Sequence, residues 1–120
     1  MKPFNYLEKE ERPWGIFYVI HNEKHYKIKR LEINPGKRLS YQYHTKRSES
    51  WIIIQGNPLI TLDDKVLSYK EGDTVLIGNG TKHRIENIAN DKLIFIEVQT
   101  GTYFGEDDII RIEDDYNRIK

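Results

Sequence analysis

Four side chains of metal-binding type occur in two glycine-punctuated stretches of the sequence. Residues 36–56 contain Gln42, His44 and Glu49, and residues 72–87 contain His83. Alternate residues of a strand share one face, so Gln42 and His44 point the same way while Glu49 opens the next strand. Imidazole nitrogens and side-chain oxygens bind divalent ions such as Zn²⁺, Mn²⁺, Ni²⁺ and Fe²⁺. The pattern predicts one divalent metal site, and it does not choose among these metals.

Each of these residues also has an ordinary structural explanation. A lone histidine is often a hydrogen-bonded structural group, Gln42 can satisfy backbone groups, and Glu49 can pair with Arg47 or Arg84. We favour the metal because all four side chains occur together in two stretches with similar glycine frames. The two remaining histidines flank a turn and receive no site role: His21 and His25.

Short alternating segments must position the candidate ligands. The segments rich in β-branched and aromatic residues are 16–20, 26–33, 39–44, 51–54, 59–62, 65–69, 74–77, 83–87 and 93–100. Turn residues such as Asn34-Pro35-Gly36 and Asp63-Asp64 separate them, and the nearly continuous apolar run at 51–54 is of the kind that a buried sheet needs. No stretch before residue 105 has helical periodicity. The sequence predicts an all-β sandwich or barrel.

Length and composition predict a single domain without a large polyanionic partner. The 120 residues suffice for one core, and 19 basic residues balance 19 acidic ones, so we expect neither a nucleic-acid nor a membrane partner. A small anionic ligand remains compatible with this balance. Cysteine is absent, which excludes disulfides and thiolate sites. Because we find neither a secretory signal nor a membrane-spanning run, we expect a cytoplasmic protein.

Three segments divide the chain in this interpretation. Residues 1–11 are polar and are expected to form an N-terminal arm, residues 12–104 the barrel, and residues 105–120 an acidic tail. The tail is either solvated or docked on the barrel through Ile109, Ile110 and Ile112. We favour docking because disordered tails are usually poorer in β-branched and aromatic residues.

The spacing of the two stretches resembles the paired motifs of the cupin superfamily. Its positions are Gly36, Gln42, His44, Glu49, Gly56, Gly72, Gly78, Gly80, His83 and Asn87. Gln42 stands where many cupins have their first histidine. Within cupins, the chain from about residue 12 to residue 118 resembles the isomerase domain of type II mannose-6-phosphate isomerases. The strings that carry this resemblance are Arg12-Pro13-Trp14-Gly15, Leu39-Ser40-Tyr41-Gln42-Tyr43-His44, Gly80-Thr81-Lys82-His83-Arg84-Ile85-Glu86-Asn87 and Gly105-Glu106-Asp107-Asp108-Ile109-Ile110-Arg111.

The resemblance implies a fold, a cofactor and a reaction. It implies a cupin jelly-roll barrel in which Gln42, His44, Glu49 and His83 bind a metal, usually zinc. It also implies interconversion of mannose 6-phosphate and fructose 6-phosphate. In many relatives this domain follows a nucleotidyltransferase that makes GDP-mannose. These 120 residues contain no counterpart of that part, so we expect no guanylyltransferase activity from them.

Three residues depart from the family pattern. Ser50 replaces a histidine that usually precedes the tryptophan, and Gly78 and Asn79 replace two prolines. Alternation turns Ser50 away from the ligands. Loss of the two prolines raises the conformational entropy of the unfolded chain, which lowers stability by about 1 kcal/mol or less for each proline. No ligand is lost, but the changes leave room for a related substrate.

Aldose to ketose isomerisation needs a proton-transfer group near C1 and C2 of the sugar. Glu49 is our first candidate for this role, as ligand and base in turn, and Glu97 is the competing candidate. Glu97 and Gln99 alternate on one face of the last long strand. If that face lines the cavity, Gln99 is a substrate-binding residue.

The reaction also needs an anchor for the phosphate and stabilisation of the enediolate. We assign the phosphate to Lys29 and Arg111, and the electrostatic stabilisation to Arg47. Arg84 is a weaker candidate because it alternates away from His83. Two further residues either close one end of the barrel or border the pocket: Arg12 and Trp14.

Two other functions remain open at this point. One is isomerisation or epimerisation of another phosphorylated or nucleotide-linked sugar, and the other is a non-enzymatic sugar-binding cupin that keeps its metal for structure. We also expect a homodimer, formed through an exposed sheet edge at residues 16–20 or 109–112.

Overall fold

Antiparallel strands account for most of the regular structure of the chain. The computed structural model describes residues 4–118, so the ends of the expected arm and tail, residues 1–3 and 119–120, lie outside the described residues. The strands are β1 (Glu8–Arg12), β2 (Gly15–Asn22), β3 (Tyr26–Ile33), β4 (Tyr41–Tyr43), β5 (Arg47–Gln55), β6 (Leu59–Leu62), β7 (Lys65–Ser68), β8 (Thr74–Ile77), β9 (His83–Glu86), β10 (Leu93–Gly101) and β11 (Ile110–Glu113). A short 3₁₀ helix, Glu106–Asp108, precedes β11.

The strands form two sheets, in which every pairing is antiparallel. The larger sheet has the order β1-β2-β3-β10-β5-β8, and the smaller has the order β11-β4-β9-β6-β7. The predicted all-β jelly roll is confirmed. Within residues 4–118, no helix has the length and apolarity that crossing a bilayer requires.

The core lies between the two sheets because each strand buries only one of its faces. Trp51 and Ile53 on β5 are 1% exposed, whereas Ile52 and Ile54 between and after them are 42% and 48% exposed. Only alternate residues of the apolar run at residues 51–54 are therefore buried. With a period of two residues, a strand that has one face on the core must turn alternate side chains outward, whatever their polarity.

The N-terminal segment is more structured than its polar composition predicts. Residues 8–11 were expected in an arm, but they form β1 and pair with β2 from Glu8↔Val19 to Arg12↔Gly15. Backbone pairing at a sheet edge needs no apolar side chains, so composition hid this strand. Because β1 covers β2, the expected dimer contact through the edge at residues 16–20 is wrong. The other expected edge, β11, does lie at the end of its sheet.

Gly15 explains why a tight turn can precede β2. Its φ is +153°, and a Cβ atom there would lie 2.0 Å from the backbone oxygen of Glu32 on the neighbouring strand. Any other residue would therefore push β2 and β3 apart. The close approach fixes the start of β2 beside the cavity described below.

The C-terminal tail docks on the barrel, but not through the predicted set of isoleucines. Ile110 and Ile112 are 44% and 40% exposed, because β11 pairs with β4 and turns these two side chains outward. Ile109 instead faces a cavity, and the Tyr116 hydroxyl donates to the backbone oxygen of Arg38 over 2.9 Å. Strand pairing therefore contributes more to the docking than the apolar stripe does.

Neighbouring residues of β5 allow a direct test of this packing. We expect Ile53→Ala to lower the free energy of unfolding by about 2–5 kcal/mol, because it opens a cavity in the core. Ile52→Ala, the matched control on the outer face, should cost less than about 1 kcal/mol. Urea denaturation of both variants measures the difference. Equal losses would contradict the assignment of inner and outer faces.

Candidate metal centre

The register of the larger sheet gathers polar side chains into two adjacent rows on its inner face. In one row Glu97 on β10 lies opposite Lys29 on β3 and Trp51 on β5. In the next row Gln99 lies opposite Glu49. Directly opposed residues of antiparallel strands have Cβ atoms about 4.5–5.5 Å apart, so these side chains are in contact range. A polar band therefore lies inside the barrel, beside the apolar core.

The smaller sheet supplies the facing residues. Gln42 on β4 lies opposite His83 on β9, and this is the one register pair that joins the two strands. On its other edge, Gln42 pairs with Arg111 of β11. His44 follows directly after β4. The short strand that carries Gln42 and leads to His44 is thus held between β9 and the docked tail.

Three of the four predicted ligands converge inside the barrel. The ligand atoms of His44, Glu49 and His83 all lie within 4.8 Å of one another, and the three residues are buried. The centroids of the two imidazole rings are 4.7 Å apart. Metal bonds to histidine and carboxylate are about 2.0–2.2 Å long, so small side-chain movements can close this group around one ion.

The surroundings of both imidazoles favour metal binding over protonation. His83 Nδ1 lies 2.8 Å from the carbonyl oxygen of Thr81, which requires the proton on Nδ1 and leaves a lone pair on Nε2. That Nε2 atom and both ring nitrogens of His44 are buried without a hydrogen-bond partner. Burial lowers the pKa of His83, and burial followed by the positive charge of Arg47 lowers the pKa of His44 to about 3. Neutral, unpartnered nitrogens beside a carboxylate fit a divalent metal.

Two donors fix the orientation of Glu49. Arg47 Nε donates to Oε2 over 3.0 Å, and Trp51 Nε1 donates to Oε1 over 2.9 Å. His44 Nε2 lies 3.2 Å from the same Oε2 atom, but the low pKa of His44 means that the two do not form an ion pair at neutral pH. The predicted alternative partner Arg47 is therefore present. The other, Arg84, instead pairs with Glu113 over 2.9 Å.

Gln42, the fourth predicted ligand, is half-buried at the edge of this group. Its Oε1 accepts a hydrogen bond from the Ser40 hydroxyl over 2.6 Å. The side chain shares a face with His83 because the two residues are directly opposed. It also lines the adjoining cavity. An amide oxygen there can complete an N/O ligand set.

Glu97 provides a second buried carboxylate next to the ligand group. Trp51 Nε1 donates to its Oε1 over 3.1 Å, and Gln99 Nε2 donates to its Oε2 over 2.6 Å. Burial and then the negative charge of Glu49 raise the pKa of Glu97 to about 7, against the opposing effect of Lys29. A carboxyl group with this pKa can both accept and donate a proton near neutral pH.

A cavity of about 320 Å³ opens onto Gln42 and Glu97. Its volume lies in the range of small-molecule sites. Trp14 and Phe17 give it an apolar wall, and four basic residues line it: Arg12, Lys29, Arg111 and Arg118. Arg12 and Trp14, whose place the sequence left open, therefore border the pocket. Two of these cations already pair with carboxylates, Arg12 with Glu10 and Arg118 with Asp114, so the positive charge that favours an anionic ligand comes mainly from Lys29 and Arg111.

Both predicted phosphate residues line this cavity. Lys29 is buried beside Glu97, with its Nζ 4.3 Å from the ring centroid of Phe17. Arg111 reaches the cavity from the tail, and its Nε is buried without a hydrogen-bond partner. Burial and then the charge of Arg118 lower the pKa of Arg111. An anion would relieve both effects by pairing with these guanidinium groups.

Two predicted residues contact carboxylates instead of the cavity. Arg47 is buried against Glu49, and it also donates to the backbone oxygen of Phe104 over 3.3 Å. Gln99 is fully buried against Glu97. Neither lines the cavity. Ser50 lies on the outer row with Val98 and Leu76, away from the ligands, as its alternation predicts.

Sequence reasoning missed three residues around this site. Trp51, whose single N–H contacts both carboxylates, received no role in the sequence analysis. Its position two residues after Glu49 on the same strand was the available signal. Arg118 lines the cavity, and Asp108 contacts the backbone after His44. For these two tail residues the sequence offered no signal, because their contacts depend on how the tail docks.

Known proteins resemble this chain in sequence or in fold. The family model described as mannose-6-phosphate isomerase C-terminal matches residues 4–114. The xanthan biosynthesis protein XanB of Xanthomonas campestris pv. campestris is 42% identical over 92% of this chain and 24% of its own length. A mannose-1-phosphate guanylyltransferase of Salmonella muenchen is 41% identical over 85% of this chain and 22% of its own length. The chain thus spans about a quarter of these curated relatives.

The solved structures support the fold independently. The cupin domain of Schizosaccharomyces pombe Cnp3 superposes with a TM-score of 0.71 over 82% of this chain and 69% of that chain, at 15% identity. Identity this low shows the architecture alone. With the family match over nearly the whole described chain, the jelly roll and the buried His/Glu/His group lead to one conclusion: the chain belongs to the family of mannose-6-phosphate isomerase C-terminal domains, and its fold is that of a cupin.

Proposed function

We propose that the chain is a metal-dependent sugar-phosphate isomerase that interconverts mannose 6-phosphate and fructose 6-phosphate. The observation that carries this proposal is a buried His/Glu/His group next to a second carboxylate, Glu97, which lines a cavity with basic walls. The description of the matching family supports the same substrate. The chain spans about a quarter of the length of its relatives, so the activities of those whole proteins do not support the proposal.

In this proposal His44, Glu49 and His83 hold the metal, with Gln42 as the fourth ligand. Zinc is our choice, because two neutral imidazoles with oxygen donors are a common zinc ligand set. A bound divalent ion supplies Lewis-acid stabilisation of negative charge on a substrate oxygen. Arg47 and Trp51 hold Glu49 in place by donating to its two oxygens. Arg47 adds positive charge close to where the enediolate charge develops.

For proton transfer, the geometry favours Glu97 over our first candidate Glu49. Glu49 is committed to Arg47, Trp51 and the metal group, whereas Glu97 lines the cavity. Glu97 removes the proton from C2 of the open-chain aldose and returns it to C1, while the proton of the C2 hydroxyl passes to the C1 oxygen. The reverse direction uses the same group. Gln99 holds the carboxylate in position, and Lys29 lies directly opposite it.

The phosphate lies at the basic end of the cavity in this proposal. Arg111 is its main partner, because a buried guanidinium Nε without a partner is available there. Lys29, Arg12 and Arg118 add positive charge to the same walls. Charge-assisted hydrogen bonds from guanidinium groups hold phosphate oxygens strongly and fix their orientation.

Metal binding tests the ligand assignment. We expect about one zinc ion per chain. We expect His44→Ala or His83→Ala to weaken zinc binding by more than about 100-fold, which exceeds the loss of affinity typical of residues that only orient the ligands. Competition titration with a chromophoric chelator measures the affinity. His21→Ala removes an exposed histidine and should bind zinc as the wild type does. Wild-type affinity in the His44 variant would contradict the assignment.

Hydrogen exchange in heavy water tests the reaction. We expect the wild type to exchange the C2 hydrogen of mannose 6-phosphate, and Glu97→Gln to lower the rate by about 10²–10⁴-fold while zinc stays bound. The matched control is Glu32→Gln, a buried glutamate on the outer face of the same sheet. Full zinc occupancy without exchange in the wild type would refute the isomerase and favour the sugar-binding alternative. Exchange with another sugar phosphate alone would favour a related isomerase.

Arg111→Ala tests the phosphate end of the cavity. We expect KM for mannose 6-phosphate to rise by about 10–100-fold with a smaller change in kcat, since a charge-assisted hydrogen bond contributes roughly 1.5–3 kcal/mol. Steady-state kinetics and inhibition by inorganic phosphate measure the effect. Lys65→Ala, on the exposed strand β7, serves as control. An unchanged KM and unchanged phosphate inhibition would place the anion elsewhere.

A further inference from the structure

The connection between β4 and β5 controls the distance between two metal ligands. It consists of residues 44–46, so His44 begins the connection and Glu49 lies three residues after its end. A shift of this short segment moves His44 relative to the strand that carries Glu49. Metal sites are sensitive to such shifts because all ligand bonds must be made at once.

One carboxylate of the tail holds this connection. Asp108 Oδ1 accepts from the Thr45 hydroxyl over 2.9 Å and from the Thr45 backbone N–H over 3.3 Å, and Oδ2 accepts from the Lys46 N–H over 2.9 Å. Asp108 is buried, whereas the side chains of Thr45 and Lys46 are exposed. The carboxylate therefore reaches from the tail to the backbone of the two residues that follow a metal ligand.

The other hydrogen bonds of the connection use its carbonyl groups. Gly80 N–H donates to the backbone oxygen of His44 over 2.8 Å, and Thr102 N–H donates to that of Lys46 over 3.1 Å. Among residues 4–118, Asp108 is the acceptor for the backbone N–H groups of Thr45 and Lys46. Its loss would leave these donors without a protein partner and the connection free to tilt.

The 3₁₀ helix that contains Asp108 directly precedes residues of the cavity wall. Asp108 ends the 3₁₀ helix, Ile109 and Arg111 follow it, and both of these residues line the cavity. Arg111 is also the register partner of Gln42. The Asp108 side chain thus connects the tail segment that lines the cavity to the segment that carries His44.

We propose that Asp108 is a positioning residue of the metal centre, which fixes His44 relative to Glu49. The proposal rests on the proposed function, because it assumes that His44 and Glu49 bind the metal. The competing explanation is that Asp108 only anchors the tail. The two differ in one measurable quantity: an anchor changes the stability of the fold, whereas a positioning residue changes the metal affinity of the folded protein.

The test compares Asp108→Ala with Asp107→Ala in the full chain. Asp107 is the exposed neighbour whose carboxylate contacts the Tyr103 hydroxyl, so its removal changes the charge of the tail without touching the connection. We expect Asp108→Ala to bind zinc about 10-fold more weakly, as for residues that orient metal ligands, and Asp107→Ala to match the wild type. Chelator competition gives the affinity, and urea denaturation of the metal-free proteins gives the stability.

A second variant covers the possibility that Asp108→Ala does not fold. Thr45→Val removes only the hydroxyl donor at an exposed position, and it should weaken zinc binding by about three- to five-fold, roughly the value of one hydrogen bond. Lower stability with unchanged zinc affinity in these variants would overturn the positioning role. Equal weakening by Asp107→Ala would overturn it as well. A wild type that binds no zinc would refute the metal centre itself, which is a different result from equal affinities.

Discussion

Two carboxylates are buried side by side in this barrel, and one indole N–H donates to both of them. Trp51 Nε1 lies 2.9 Å from Glu49 Oε1 and 3.1 Å from Glu97 Oε1. Two negative charges cannot be buried this close without compensation. The protein answers by giving the two carboxylates different surroundings. Arg47 stabilises the charge of Glu49, whereas burial and the charge of Glu49 favour the neutral form of Glu97.

This difference in surroundings separates the roles of the two groups. A carboxylate that an arginine and an indole N–H hold in place is a suitable metal ligand, and one with a pKa near neutrality is a suitable acid and base. Burial also lowers the pKa of both histidines, and His83 Nε2 and the two ring nitrogens of His44 have no hydrogen-bond partner in the protein. Together they form a group that could hold a cation, beside a cavity that basic residues line.

The sequence could predict the parts of this site that depend on local rules. Alternation along β10 put Glu97 and Gln99 on one face, and motif spacing grouped His44 and His83 with Glu49. Which face lies inside came from the structure. What the sequence could not show depends on register and docking. The pairing of Gln99 with Glu49 across two strands follows from where β10 begins relative to β5. For the same reason, Gln99 was predicted to bind substrate, although in the structure it contacts Glu97 and does not line the cavity.

The tail shows the same limit in its clearest form. Its isoleucines formed an obvious apolar stripe, yet Ile110 and Ile112 are exposed and a charged residue makes the decisive contacts. Alternation along an edge strand turns every second side chain outward, even where that side chain is apolar. A buried carboxylate, by contrast, is stable only where several hydrogen-bond donors contact it. Asp108 meets such donors only in the connection after His44. Since β4 has three residues and one register pair with β9, the ligand strand depends on the tail at β11 for its second edge. The docked tail therefore supplies the second edge of the strand that leads to His44.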